Sequence, residues 1–261
     1  MLSLRSFRIL LTPLTYIPVG EAHRSRHDVL NVVTVPVNCQ CTNPAMSDTP
    51  RLRITEIFFS LQGESTLVGC PTVFVRLTGC PLRCGYCDTE YAFQGGEWMS
   101  LDDIMDQVAG YQTRYVTVTG GEPLAQQSCL QLLQVLCDAG YQVSLETSGA
   151  LDISATDPRV IRVVDLKTPG SGEVERNLYD NLGCLQPHDQ VKFIICSRSD
   201  YQWAKDMISE YGLNDRCEVL LSPSHGQQDA TELADWILQD QLPVRMQLQL
   251  HKYLWGNEPG H

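Results

Sequence analysis

The chain has 261 residues, 43% hydrophobic and 19% charged, with 31 acidic and 19 basic side chains for a formal net charge of −12. This composition excludes a disordered chain, and no uninterrupted apolar stretch approaches the ~18 residues that a membrane-spanning helix needs. The acidic balance argues against a nucleic-acid partner, and the odd count of 11 cysteines argues for reduced thiols in a cytoplasmic protein over a secreted disulfide framework.

Residues 1–45 differ from the rest. Arg5, Arg8, Arg24 and Arg26 stand against Glu21 and Asp28, a local charge of +2, and Pro13, Pro18, Pro36 and Pro44 break any helical or strand period. The two prolines inside the apolar stretch from Ile9 to Val19 also spoil a secretory signal. This segment is expected to be an unstructured N-terminal extension, with Met46 as an alternative start. Residues 46–261 then carry 15 basic and 29 acidic side chains, a charge of −14, and form the one folded domain.

From Arg53 onward, β-rich runs alternate with helical ones. Strands are predicted at 54–59, 73–77, 115–119, 142–146, 160–166, 191–196, 217–221 and 244–250, several of them continuous valine-, isoleucine- and leucine-rich runs of the kind buried on both faces. Helices are predicted near 100–110, 128–139, 200–211 and 229–239. Ser100, Ser128 and Asp229 are their N-cap residues, and Gly140 and Gly212 stand at helix ends. The alternation implies right-handed βαβ units on a parallel sheet. Residues 46–261 are too few for a full eightfold barrel, so the fold class is α/β, a partial TIM-type β/α barrel.

The strongest chemical signal follows the strand VFVRL: Cys80-Pro81-Leu82-Arg83-Cys84-Gly85-Tyr86-Cys87, a C-x3-C-x2-C array. Three thiolates on one loop can converge on a metal centre. A zinc site normally takes four protein ligands, which Cys70 or His225 would have to complete. A four-iron cluster held by three cysteines leaves one iron open to an outside ligand. After the strand YVTVT comes Thr119-Gly120-Gly121-Glu122-Pro123, where paired glycines permit close backbone approach and Glu122 offers a carboxylate to an ammonium. Alone, this segment also reads as a tight strand-to-helix turn.

Together the two motifs resemble those of the radical S-adenosylmethionine (SAM) superfamily. The resemblance implies a [4Fe–4S] cluster on Cys80, Cys84 and Cys87, SAM chelated to the open iron, Tyr86 near the adenine, and the glycine–glutamate segment at the SAM amino group. Further residues narrow it: Glu56 to Glu64 (EIFFSLQGE), Val75 to Gly79, Cys87-Asp88-Thr89, and Gln249 to Tyr253. From about Arg53 to Tyr253 the chain resembles the 7-carboxy-7-deazaguanine synthase family, which serves 7-deazapurine (queuosine) biosynthesis.

That resemblance implies conversion of 6-carboxy-5,6,7,8-tetrahydropterin to 7-carboxy-7-deazaguanine with loss of ammonia. A 5′-deoxyadenosyl radical takes hydrogen from C6, and magnesium assists the ring contraction. Carried over by motif, Leu61, Gln62, Gly63 and Thr119 meet the pterin, and Arg76 pairs with its carboxylate through a planar fork of donors. Thr89 is the magnesium ligand. Gly121, Glu122, Asp165-Leu166-Lys167 and Ser222-Pro223-Ser224-His225 contact SAM. A homodimer and a flavodoxin-like electron donor are further family expectations.

Plainer roles stand beside these. Gln62 and Glu64 suit a polar hairpin tip, Arg76 a structural ion pair, Thr89 a turn cap, Lys167 and Lys192 solvated strand ends, and His251 a packing histidine. Two rival functions also remain at this level: a glycyl-radical-enzyme activase of the same superfamily, and a non-enzymatic zinc- or iron–sulfur-binding module. The compact spacing between strands leaves the number of barrel helices open.

Overall fold

The computed structural model describes residues 50–256, 258 and 260. The expected N-terminal extension over 1–45 and the alternative start at Met46 lie outside the described residues.

Among the described residues, nine strands form one sheet in the order β3-β1-β2-β4-β5-β6-β7-β8-β9, whose two ends do not meet. β1 (Arg51–Leu61) pairs antiparallel with both β2 (Pro71–Leu77) and β3 (Glu97–Ser100). From β2 onward every pairing is parallel, through β4 (Tyr115–Gly120), β5 (Gln142–Thr147), β6 (Ile161–Asp165), β7 (Gln190–Ile195), β8 (Glu218–Pro223) and β9 (Arg245–Met246). The open curved sheet is the incomplete barrel expected from the sequence. Parallel strands covered on both faces need side chains that tolerate burial everywhere, and all six residues of β7, QVKFII, are buried.

Helices α1 (Leu101–Ala109), α2 (Cys129–Asp138), α3 (Arg198–Tyr211) and α4 (Ala230–Gln239) fall where periodicity places them. Ser100 and Asp103 close a capping box, Asp229 accepts from the Glu232 amide at 2.9 Å, and Gly212 ends α3 in the left-handed conformation at φ 58°. Ser128 is a correction: its backbone is already helical and its side chain makes no capping bond. Two crossovers, β5 to β6 and β6 to β7, contain no α-helix. The second runs instead through 3₁₀ turns at Pro169–Ser171, Val174–Arg176 and Tyr179–Cys184. Asn181 pins that segment by accepting from the Ile153 amide and donating to the carbonyls of Gly149 and Leu151.

The strand expected at 244–250 is the main structural correction. Only Arg245–Met246 joins the sheet, and Leu250–Trp255 forms a fifth helix, α5. The alternation in VRMQLQL comes from glutamines that face other partners. Gln247 Oε1 accepts from the Ser65 amide at 2.8 Å, and Gln249 Nε2 donates to Glu64 at 2.8 Å, while Leu248 between them is exposed. β3 is an addition the sequence did not signal; EWMS is too short to show a period.

Two apolar clusters carry the fold. One joins β1, β2, β4 and β5 to α1 and α2 through Leu52, Val75, Ile104, Leu133 and Leu145. The other joins β7 and β8 to α3 and α4 through Phe193, Tyr201, Ala204, Leu221 and Leu233. Truncating one such fully buried leucine to alanine costs about 2–5 kcal/mol. The loops that follow β2, β4, β6 and β8 gather at the C-terminal strand ends. That is the usual place for a site in a parallel α/β sheet. Among the described residues no helix is long and apolar enough to cross a membrane.

Candidate active site

A cavity of about 640 Å³ opens at those strand ends. Of the residues given a cluster, magnesium, SAM or pterin role from the sequence, all line it except Glu122, Leu166 and Ser222.

The loop after β2 brings Cys80, Cys84 and Cys87 to the cavity as free, half-buried thiols. Its shape is held from outside. Arg83 donates to the carbonyls of Cys80 at 2.8 Å and Leu82 at 2.6 Å, with its guanidinium 4.2 Å over the Phe93 ring. The Gly85 amide donates to Ser171 at 3.0 Å and the Arg83 amide to Glu173 at 2.5 Å, tying the loop to the segment after β6. The Leu82 amide points at Cys80 Sγ at 3.4 Å, the kind of N–H donor that tunes cluster sulfurs. Burial pushes all three thiols up, Cys84 to about 11, so metal binding here must displace protons. Among the described residues no three His, Cys, Asp or Glu side chains form a set that would hold a metal ion. A cubane differs from such a set in giving each cysteine its own iron.

Gly120 and Gly121 are glycines because β4 runs against that loop. A Cβ on Gly120 would collide with the Leu77 carbonyl, and one on Gly121 with the Gly79 carbonyl and Cys80 Cβ. Glu122 departs from the role foreseen for it. Its carboxylate is fully buried and accepts from Thr147 Oγ1 at 2.9 Å, the Ser148 amide at 2.7 Å, Ser148 Oγ at 2.5 Å and the Leu124 amide at 3.0 Å. It braces the β4 and β5 loops and does not face the cavity. Leu166 packs in the second apolar cluster, and Ser222 lies buried inside β8, whereas Pro223, Ser224 and His225 reach the cavity wall.

Lys167 Nζ contacts Asp165 Oδ2 at 3.0 Å and lies 5.7 Å over the Tyr86 ring. Burial lowers its pKa, but Asp165 and the nearby Cys84 more than reverse this, and the ammonium is held above its usual value. Tyr86 Oη and Asp165 Oδ1 are buried without a hydrogen-bond partner among the described residues. Each such orphan costs about 1–3 kcal/mol, which a polar ligand in the cavity would relieve. These groups fit the donors and acceptors of SAM beside a cluster on the cysteine loop.

A second part of the wall comes from the end of β1 and from β2, β4 and β5. Gln62 Nε2 donates to Thr117 Oγ1 at 3.1 Å and Glu146 Oε1 at 3.4 Å, and Thr119 Oγ1 to Glu146 Oε2 at 3.3 Å. Burial raises the Glu146 carboxyl, with Lys192 opposing and Glu64 adding to the rise. Arg76 does form a structural ion pair, Nε to Glu56 Oε1 at 2.6 Å, and still lines the cavity. Thr89 precedes a 3₁₀ turn without capping it, and its hydroxyl donates to Asp88 Oδ1 at 2.9 Å.

Lys192 and Lys167 are not solvated strand ends. Both are buried, and Lys192 contacts Glu64 at 2.7 Å and Asp165 at 3.7 Å. Asp88 beside Thr89, Gln249 and Lys252 from the C-terminal motif, and Glu146, which the sequence did not mark, complete this polar wall. Lys252 Nζ meets Asp88 Oδ2 at 2.7 Å and holds that carboxyl well below its usual range against the rise that burial would cause. One sequence signal was available for Lys192: a charge within an otherwise apolar strand must have a buried partner.

An open parallel sheet with a three-cysteine loop and a paired-glycine turn at its C-terminal edge defines a radical SAM enzyme, and residues 74–165 match the radical SAM superfamily. Such enzymes use a [4Fe–4S] cluster and SAM. The chain is 46% identical to the 7-carboxy-7-deazaguanine synthase of Chlorobaculum tepidum, over 81% of this chain and 97% of that protein. It is 42% identical to that of Koribacter versatilis, over 79% and 98%. Among solved structures, QueE from Escherichia coli superposes with a TM-score of 0.64 at 25% identity, covering 77% of this chain and 95% of that one. The chain belongs to the 7-carboxy-7-deazaguanine synthase family. These relatives displace the activase and the non-enzymatic module.

Proposed function

We propose that this enzyme makes 7-carboxy-7-deazaguanine from 6-carboxy-5,6,7,8-tetrahydropterin with release of ammonia, on a queuosine-type pathway in the cytoplasm. The observation that carries this reading is that the cysteine loop and Arg76 line one cavity, from the loop after β2 and from β2 itself. A radical source and a planar-carboxylate receptor therefore share one cavity. When bound, the reduced cluster and SAM supply the 5′-deoxyadenosyl radical that takes hydrogen from pterin C6.

The protein's own residues bind and orient. Arg76 offers its guanidinium to the substrate carboxylate, and Gln62, Gly63 and Thr119 present amide, backbone and hydroxyl groups to the pterin edge. Lys192 neutralises the carboxylates around it, so an anion can enter a wall rich in acids. Tyr86, Gly121, Asp165, Lys167 and the Pro223 to His225 segment hold SAM. Thr89, with Asp88 beside it, supplies a hard oxygen to magnesium. A homodimer and a flavodoxin-like reductant complete the proposal; the formal net charge of −12 argues against a nucleic-acid partner.

The test is anaerobic incubation of the reconstituted, reduced enzyme with SAM and the carboxypterin, with and without magnesium. Deazaguanine absorption and ammonia are expected, fastest with magnesium and less dependent on it in Thr89→Ala. SAM cleavage without either product would overturn the substrate; indifference to magnesium would overturn the metal.

A further inference from the structure

We propose that Glu56 and Tyr91 are positioning residues that turn Arg76 so that it meets its anion end-on, through Nη1 and Nη2. The inference rests on the reading of Arg76 as the partner of the substrate carboxylate.

Glu56 and Arg76 are directly opposed across the antiparallel β1–β2 pair. Glu56 Oε1 accepts from Arg76 Nε at 2.6 Å and, on the same oxygen, from Tyr91 Oη at 2.8 Å. The guanidinium carbon lies 5.7 Å from the Phe58 ring centre and 5.8 Å from that of Tyr91. Phe58 is itself stacked on Phe74 at 4.9 Å. One edge and the ring contacts of the plane are thus set by the protein. Among the described residues no hydrogen bond uses Arg76 Nη1 or Nη2.

A guanidinium has two kinds of edge that take a carboxylate with paired bonds, one including Nε and one made by the two terminal nitrogens. Glu56 occupies the first. Arg76, Phe58, Phe74 and Tyr91 line the cavity while Glu56 does not, so Glu56 holds the guanidinium from behind. The terminal edge is left for a ligand. A guanidinium pinned at Nε loses little orientational freedom when an anion docks, which is where preorganisation raises affinity. Because Glu56 already balances the charge, Arg76 acts by the geometry of its fork more than by net attraction.

The experiment is steady-state kinetics of the holoenzyme with the carboxypterin for Arg76→Lys, Glu56→Ala, Glu56→Gln and Tyr91→Phe. Arg76→Lys and Glu56→Ala should each raise KM about tenfold or more, with a smaller change in kcat. Glu56→Gln keeps an oxygen for Nε and should recover KM to within about threefold of the parent. Tyr91→Phe should raise KM in the same direction. If Arg76→Lys raises KM and Glu56→Ala does not, the positioning role is overturned and the Arg76 reading stands. If Arg76→Lys leaves KM unchanged, that reading falls and the inference with it. Should Glu56→Ala fail to fold, Tyr91→Phe decides: an unchanged KM overturns the proposal.

Discussion

Lys192 Nζ lies 2.7 Å from Glu64 Oε2, closing an ion pair between residues 128 apart in sequence. The pair joins β7 to the turn between β1 and β2, and so links the two ends of the cavity wall. Burial pushes the Glu64 carboxyl up, but the Lys192 ammonium and hydrogen bonds from Lys192 and Gln249 hold it below 4.5, its ordinary value. Burial likewise pushes Lys192 down, and the Glu64, Asp165 and Glu146 carboxylates lift it above 10.5.

Replacing Lys192 with Met should therefore cost about 3–5 kcal/mol near neutral pH, because Glu64 is left buried without its cation. A lowered carboxyl contributes stability above its unfolded value and loses it as pH falls through the folded one. A raised ammonium contributes below its unfolded value and loses it as pH rises through the folded one. The difference between parent and variant should be largest from neutral to mildly alkaline pH, shrink above 10.5, and shrink in acid from above 4.5, because the variant's buried Glu64, freed of its cation, is pushed up by burial and takes a proton. Urea denaturation at several pH values measures it; a difference that grows in acid contradicts the pairing.

Cys84 and Cys137 separate cluster ligation from packing. Cys84 lines the cavity, whereas Cys137 is buried on α2 within the first apolar cluster. Cys84→Ala should lose the bound iron and its iron–thiolate absorption. Cys137→Ala should keep both at a stability cost of about 1 kcal/mol. Iron analysis after anaerobic reconstitution decides, and equal loss in both would refute the assignment.

Glu122→Gln tests whether that carboxylate braces the fold or holds the SAM ammonium. An amide nitrogen would face the Thr147, Ser148 and Leu124 donors that the carboxylate now satisfies, so stability should drop by about 2–4 kcal/mol even without SAM. Thermal unfolding with and without SAM distinguishes the two roles. Unchanged unfolding with weakened SAM binding would restore the ammonium contact.

Gly63→Ala should displace α5. A Cβ at this position would collide with His251 Nδ1, and the Leu250 amide donates to the Gly63 carbonyl at 2.9 Å. Expected are a destabilisation of about 1–3 kcal/mol and faster proteolysis near residues 250–255. Proteolysis at the parent rate would show that the helix does not depend on this contact.

The parallel strands and four helices were legible because their side chains alternate or run apolar over whole elements. β3 and α5 were not. β3 has four residues, and the glutamines of VRMQLQL imitate a strand while bonding to the β1–β2 turn. Ser128 satisfied the composition of an N-cap without its geometry. In the site, most members of the contiguous motifs line the cavity, but Glu122, Leu166 and Ser222 do not, so a motif names a residue and leaves open which way its side chain turns.

Taken alone, the sequence determined the local chemistry: three cysteines on one loop, two glycines where a strand must lie close to that loop, and a fork-shaped cation on β2. It also determined that an acidic chain must recognise an anion with a few placed groups. Only the tertiary structure decided the partners. Glu56 behind Arg76, Glu64 and Asp165 around Lys192, and Lys252 on Asp88 are set by strand register and by crossover loops. Coulomb energy and desolvation depend on separation in space and on burial, neither of which is written in the spacing of residues along the chain.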